Sequence, residues 1–257
     1  MKINNLNNYT YSFDAKKEKE KIVQWIRDWF ETNGEGCSCF CGISGGKDSS
    51  VVAALCVEAL GRHKVFGIMM PNGEQKDIAD AKAIINHLGI RGIEFNIEKA
   101  VNALYEQMET IVEVSKTTKI NLPPRIRMST LYAFAQSMYG RVANTSNLSE
   151  TLIGFETRWG DSVGDFSPLA NYTATEVVAI GKELGIPTEL IEKTPADGLT
   201  GNTDEDNLGF TYKTLDTFIR TGECNEDDKR RILNLYEKNR FKQYMPEKCK
   251  NDLPVCI

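Results

Sequence analysis

An apolar run, CSCFCGI (37–43), passes through SGGKDSS (44–50) into VVAALCVEAL (51–60). The first run is too short for a helix and reads as a buried strand. The last, with Asp48, Ser49 and Ser50 at its start and Gly61 at its end, reads as a helix. Glycines at 42, 45 and 46 permit a tight turn and a close approach of backbone to ligand. A strand entering a helix this way aims backbone N–H groups and the positive helix end at one point, where a phosphate fits. A plain tight turn would need only the glycines; it would not need Ser44, Asp48, Ser49 and Ser50 gathered around them.

The same alternation continues. VFGIMM (65–70) and GIEFNI (92–97) read as strands, DIADAKAIINHLG (77–89) as a helix, and 98–116 and 124–139 as helical. RVANTSN (141–147) reads as a fourth strand ending in polar residues. Ahead of them, Ile22, Val23, Ile26, Trp29 and Phe30 recur at helical spacing and Gly34 ends the run. Alternating strands and helices predict an α/β fold: a doubly wound, Rossmann-like parallel sheet with helices on both faces. Ligands bind beyond the carboxyl ends of such strands, where the turns at 42–50 and 145–150 fall. After Gly154 come long polar loops, with helices at 174–185 and 225–240. Loops of that length in a compact domain are lids or binding loops. The expectation is a single domain over 1–257, with its core sheet at roughly 37–150 and substrate loops and C-terminal helices over 151–257.

Composition removes several function classes. A net charge of −5 argues against nucleic acid as a bulk partner and leaves room for a local basic pocket. No apolar run reaches the length of a membrane-spanning helix. The start, MKINNLNNYTYSFDAKKEKEK, lacks the apolar centre of a secretion signal, so a cytoplasmic protein is expected. With only His63 and His87, a His-based metal site or a Ser/His/Asp triad has little to draw on. The seven cysteines are odd in number and unevenly spread, which suits reduced thiols. Cys37, Cys39 and Cys41 share one strand face. They are expected to lie in a row under a helix as small hydrophobes rather than to converge on a metal.

The phosphate loop is neither of the common types. Cys41 stands where a Walker loop needs its first Gly, Asp48 follows Lys47 where Ser or Thr belongs, and no G-x-G-x-x-G occurs. SGGKDS instead resembles the SGGxDS loop of N-type ATP pyrophosphatases, which split ATP between the α- and β-phosphates. LPPRIRMSTLYAFA (122–135), NTSNLSETLIGFETRWGDSVGDFSPL (144–169) and PADGLTGNTDEDNLGFTY (195–212) together resemble ammonia-dependent NAD+ synthetases, in order from about residue 20 to 245. That family amidates the nicotinate carboxylate of deamido-NAD+ with ATP, Mg2+ and ammonia, through an acyl-adenylate that releases pyrophosphate and then AMP. No enzyme nucleophile is needed, so catalysis rests on positioning and charge.

The resemblance implies residue roles. Gly42, Ile43, Ser44, Gly45, Gly46, Lys47, Asp48 and Ser49 would cradle ATP, and Thr145 would contact it. Asp48 and Glu150 would share Mg2+ as the catalytic and metal-binding pair. Arg125, Tyr132, Arg158, Asp165 and Lys242 would bind deamido-NAD+, with Tyr132 against its adenine; Arg127 is the weaker candidate. Four positions depart from the pattern. Arg158 replaces Lys, and Ala174 replaces an ATP-contacting Lys whose role would fall to Lys47 or Lys182. Ala196 replaces Ser or Thr, and Phe241 replaces His. The resemblance implies a homodimer, for which LYAFAQSMY (131–139) offers either a surface or a core face, and ammonia that arrives free or from a separate partner. Two rivals remain: an adenylating enzyme with another acceptor, and a nucleotide sensor without turnover.

Overall fold

The computed structural model describes residues 10–75, 77–193 and 204–246. Asp14, whose carboxylate accepts from the Lys17 N–H, opens helix α1 (Ala15–Asn33), which buries Ile22, Val23, Ile26 and Phe30 at helical spacing. Strand β1 (Ser38–Gly42) follows, then α2 (Lys47–Leu60), β2 (Val65–Met69), α3 (Ile78–Leu88), β3 (Arg91–Glu94), α4 (Glu98–Glu109), α5 (Lys116–Ser137) and β4 (Gly140–Ala143). The remaining described elements are helices: α6 (Leu148–Ile153), α7 (Ala174–Glu183), α8 (Thr188–Ile191), α9 (Asp204–Leu208), α10 (Tyr212–Thr221), α11 (Glu226–Asn239) and a 3-10 turn at Arg240–Gln243.

The four strands are all parallel, in the order β3-β2-β1-β4. The chain winds outward from β1 to β3, then returns to place β4 on the other side of β1. Winding therefore reverses between β1 and β4, and a crevice opens beyond their carboxyl ends. Strand alternation sends Cys39 and Cys41 into a core shared with α1, α2 and α7, and Phe40 into a second core shared with α4 and α5. A third core joins α6 to α10 and α11 through Ile153, Leu215 and Ile232. No helix among the described residues is long and apolar enough to cross a membrane.

The α/β doubly wound expectation holds, and the differences lie at element ends. The fourth strand stops at Ala143 rather than running to 147, because the Asn144 side chain accepts from the Ser146 N–H and turns the backbone. The helix expected over 98–116 ends at Glu109, and the one expected from 124 begins at Lys116, capped by Ser115. Pro123 and Pro124 sit inside it. A helical Pro leaves the carbonyl four residues back without its donor. For Pro123 that carbonyl is Lys119, which accepts instead from the Tyr105 hydroxyl on α4. Of the 131–139 stretch, Leu131 and Ala135 belong to the second core. Tyr139, at the end of that stretch, is exposed, as are Leu104, Ile111, Val112 and Ile120, where α4 leads to α5.

Gly140 opens β4 directly over Phe40, and an added Cβ would stand 2.3 Å from its ring. Gly140→Ala is therefore expected to destabilise the fold by about 1–3 kcal/mol. Urea unfolding checks this, and an unchanged midpoint would refute the close packing.

Candidate active site

The loop after β1 is held by its own hydroxyls. Ser49 Oγ donates to the Gly46 carbonyl (3.1 Å) and accepts from the Ser44 N–H (3.3 Å). Ser44 Oγ accepts from the Gly46 N–H (3.2 Å), and Ser50 Oγ donates to Gly46 (2.8 Å). Gly45 lies at φ +89°, with its Cβ position 2.8 Å from the Asp77 carbonyl at the start of α3, so only glycine fits. Gly46 caps α2 without any side-chain hydrogen bond. The orphan N–H groups of that helix thus remain free to face an anion.

Two carboxylates meet at this point. Asp48, in the first turn of α2, accepts from Lys47 Nζ (2.7 Å) and from Asn147 Nδ2 (2.9 Å). Asn147 is wholly buried and caps α6 with its other amide atom, Oδ1, which accepts from the Glu150 N–H (3.1 Å). One amide therefore locks α2 to α6 across the crevice. Burial, and then the charge of Asp48, push the Glu150 carboxyl up to about 8. Burial alone would lower Lys47, but Asp48 and Glu150 hold its ammonium well above the ordinary range. Lys47 also lies 5.6 Å over the Tyr212 ring.

The expected substrate residues gather along one edge. Tyr132 donates to Asp165 Oδ1 (3.2 Å), while Asp165 Oδ2 accepts from the Val142 N–H (2.7 Å), so the two become one unit on β4. Burial and Asp165 push the Tyr132 phenol up to about 12. Arg125, exposed on α5, donates through Nε to the Arg158 carbonyl (3.2 Å). The Arg158 guanidinium lies 4.9 Å over Trp159 and 5.4 Å over Phe241, and donates to the Tyr244 carbonyl (3.0 Å). Two departures thus form one contact: a planar Arg stacks on an aromatic ring, as a lysine ammonium cannot.

Lys242 donates to the carbonyls of Gly154 (2.8 Å) and Glu156 (3.1 Å), which leaves one N–H for any substrate. Gln243 donates to Thr151 and Leu152, and Asn239 to Ile153. These side chains satisfy the orphan carbonyls of α6 and fix the short helix that carries Glu150. Thr145 lies beside this helix, partly buried, in the turn after β4. Ala174 opens α7, with its N–H donating to Ser149 Oγ (3.0 Å). Lys182 pairs with Glu192 in the last turn of α7, about 12 Å along the axis from Ala174. Of the two proposed replacements, only Lys47 stands at the loop. Ala196 lies outside the described residues.

Two organising residues, Asn147 and Asp161, escaped the sequence reading, and a third, Arg127, was weighed there only as the weaker substrate candidate. Asn147 was hidden inside NTSNLSE, where Asn before Leu-Ser-Glu is a recognisable cap signal. Asp161 ties the loop together: its carbonyl accepts from Asn144 Nδ2 (2.9 Å) and Ser146 Oγ (3.0 Å), and its carboxylate from the Thr157 N–H (2.7 Å). Arg127 donates to the Met70 carbonyl (2.9 Å) at the end of β2 and faces Asp161. No local pattern marks the last two.

Asp48 and Glu150 offer two hard oxygen donors whose repulsion a divalent cation would relieve. Without one, Glu150 is neutral below about pH 8 and charged above it. Folding therefore loses stability as pH rises from the ordinary glutamate range to about 8, where the loss is complete. Glu150→Gln is expected to raise the cation-free thermal midpoint by a few degrees at pH 9 and to leave it unchanged at pH 5. Differential scanning calorimetry reads both; an equal gain at both pH values would contradict the assignment.

The comparisons agree with this geometry. The NAD synthase family model matches residues 18–246. An NH(3)-dependent NAD(+) synthetase of Carboxydothermus hydrogenoformans is 38% identical over 237 residues, covering 90% of this chain and 96% of that one. Among solved structures, NMN synthetase from Francisella tularensis superposes with a TM-score of 0.86 at 30% identity, covering 93% of this chain and all of the other. The NH3-dependent NAD synthetase of Campylobacter jejuni gives 0.76 at 28% identity, with the same coverage. The chain therefore belongs to the NAD synthase family.

Proposed function

We propose that this protein amidates the nicotinate carboxylate of deamido-NAD+ with ammonia, at the expense of ATP cleaved to AMP and pyrophosphate. The observation that carries the reading is the uncapped start of α2 beside Asp48, Lys47 and Glu150.

A carboxylate is a poor electrophile and must first be activated. Its oxygen attacks the α-phosphorus of ATP, the bond to the β-phosphate oxygen breaks, and pyrophosphate leaves. Ammonia nitrogen then adds to the acyl carbon, and AMP departs with the oxygen it received. The chain's part is electrostatic and geometric. The N–H groups opening α2 and the Lys47 ammonium would face the leaving pyrophosphate, and Thr145 would border the nucleotide. Mg2+, held by Asp48 and Glu150, would add positive charge against those phosphates. Arg125 and Arg158 would take the phosphates of the dinucleotide, and the Tyr132–Asp165 unit would present a ring face and a fixed acceptor. The exposed apolar group at Leu104, Ile111, Val112 and Ile120 supports a homodimer.

A second reading has one specific observation in its favour. The better superposition belongs to a protein named for NMN rather than NAD. In that reading the acceptor is the nicotinate mononucleotide, with the same activation step.

Purified protein with ATP, Mg2+ and ammonium, offered each acid in turn, separates the readings. The expected result is equimolar pyrophosphate and NAD+, with kcat/KM for the dinucleotide at least about tenfold above that for the mononucleotide. The reverse order would install the second reading; no turnover of either would refute both. Asp48→Asn is expected to lower kcat by about 100-fold or more with the fold retained.

A further inference from the structure

Strand periodicity places Cys39 and Cys41 on one face of β1, pointing under α2. A row of thiols was expected there. Instead, α2 returns Cys56 to the same spot, and the three sulfur atoms all lie within 4.8 Å of one another. Cys39 Sγ and Cys41 Sγ are 3.5 Å apart. All three residues have no solvent exposure, and their surroundings are the aliphatic side chains of the first core. Cys37 shares the strand face and is also buried, yet its sulfur is not part of the group.

We propose that Cys39, Cys41 and Cys56 form a site for a soft d10 divalent cation, Zn2+ or Cd2+, inside the core beneath the nucleotide loop. Three sulfurs around Zn2+ at about 2.3 Å would stand about 4 Å apart, which falls between the closest pair and the widest limit of the group. The three thiols release their protons to solvent and bind as thiolates, so the 2+ charge of the cation cancels all but one of the negative charges in the core. Sulfur donors separate this site from the oxygen donors Asp48 and Glu150, which favour hard cations. A bound cation would tie β1 to α2, the two elements that flank Gly42–Gly46.

The test uses the reduced full chain, incubated with Cd2+ under excess Mg2+ and a weak chelator. The expected result is one Cd2+ per chain, an ultraviolet thiolate-to-metal charge-transfer band and a raised thermal midpoint. Cys39→Ala and Cys56→Ala should each lose the band and the shift, while Cys37→Ala and Asp48→Asn keep both. No band in the wild type, or a band that survives Cys39→Ala, overturns the proposal. Should the alanine variants fail to fold by circular dichroism, X-ray absorption on the zinc-loaded wild type decides. Three sulfur neighbours support the site, and a shell of oxygen and nitrogen alone overturns it.

Discussion

The buried amide of Asn147 is the joint on which the site depends. One end holds Asp48 at the start of α2, and the other caps α6 and so fixes Glu150. The two helices leave the two strands between which the sheet reverses, and no other described side chain hydrogen-bonds both the Asp48 carboxylate and the Glu150 backbone. Two acidic groups would move apart if free. The amide, the Lys47 ammonium and the serine-stitched loop keep them together, and burial, with the Asp48 charge second, raises the Glu150 carboxyl. That destabilised pair is what a divalent cation would bind, so stability withheld from folding becomes affinity.

The support for this pair comes from far along the chain. Asn239, Lys242 and Gln243 bond the carbonyls of Thr151, Leu152, Ile153, Gly154 and Glu156, and Ser149 donates to Asp216 on α10. A helix as short as α6 has little stability of its own. Its position is set by partners from α10 and from the segment at 239–243. Phe241 and Tyr244, on the same C-terminal segment, meet Arg158. The substrate edge and the helix bearing Glu150 are thus mechanically joined.

The strand–loop–helix at 37–60, the alternation behind it and the reversal point were legible because each rests on local periodicity and glycine placement. Asp48 with Glu150, and Tyr132 with Asp165, were singled out by motif, and the fold brings the members of each pair together. What sequence could not yield was long-range pairing. The Tyr105 hydroxyl supplies the donor that Pro123 denies to the Lys119 carbonyl inside α5, against the local rule that starts a helix at proline. Cys56 converged on Cys39 and Cys41 only because α2 packs back over β1. Lys182, proposed as a replacement by charge, stands two turns along α7 from Ala174 and pairs with Glu192, a pairing no local pattern announces. The ties of Lys242 to α6 carbonyls likewise depend on a fold that brings residues some 88 positions apart into contact.

The most direct test is a crystal grown with Mn2+ and a non-hydrolysable ATP analogue. Anomalous scattering should place Mn2+ between the Asp48 and Glu150 carboxylates, with the β-phosphate of the analogue on the N–H groups that open α2. Metal density away from both carboxylates, or a triphosphate bound elsewhere with the loop after β1 vacant, would contradict it.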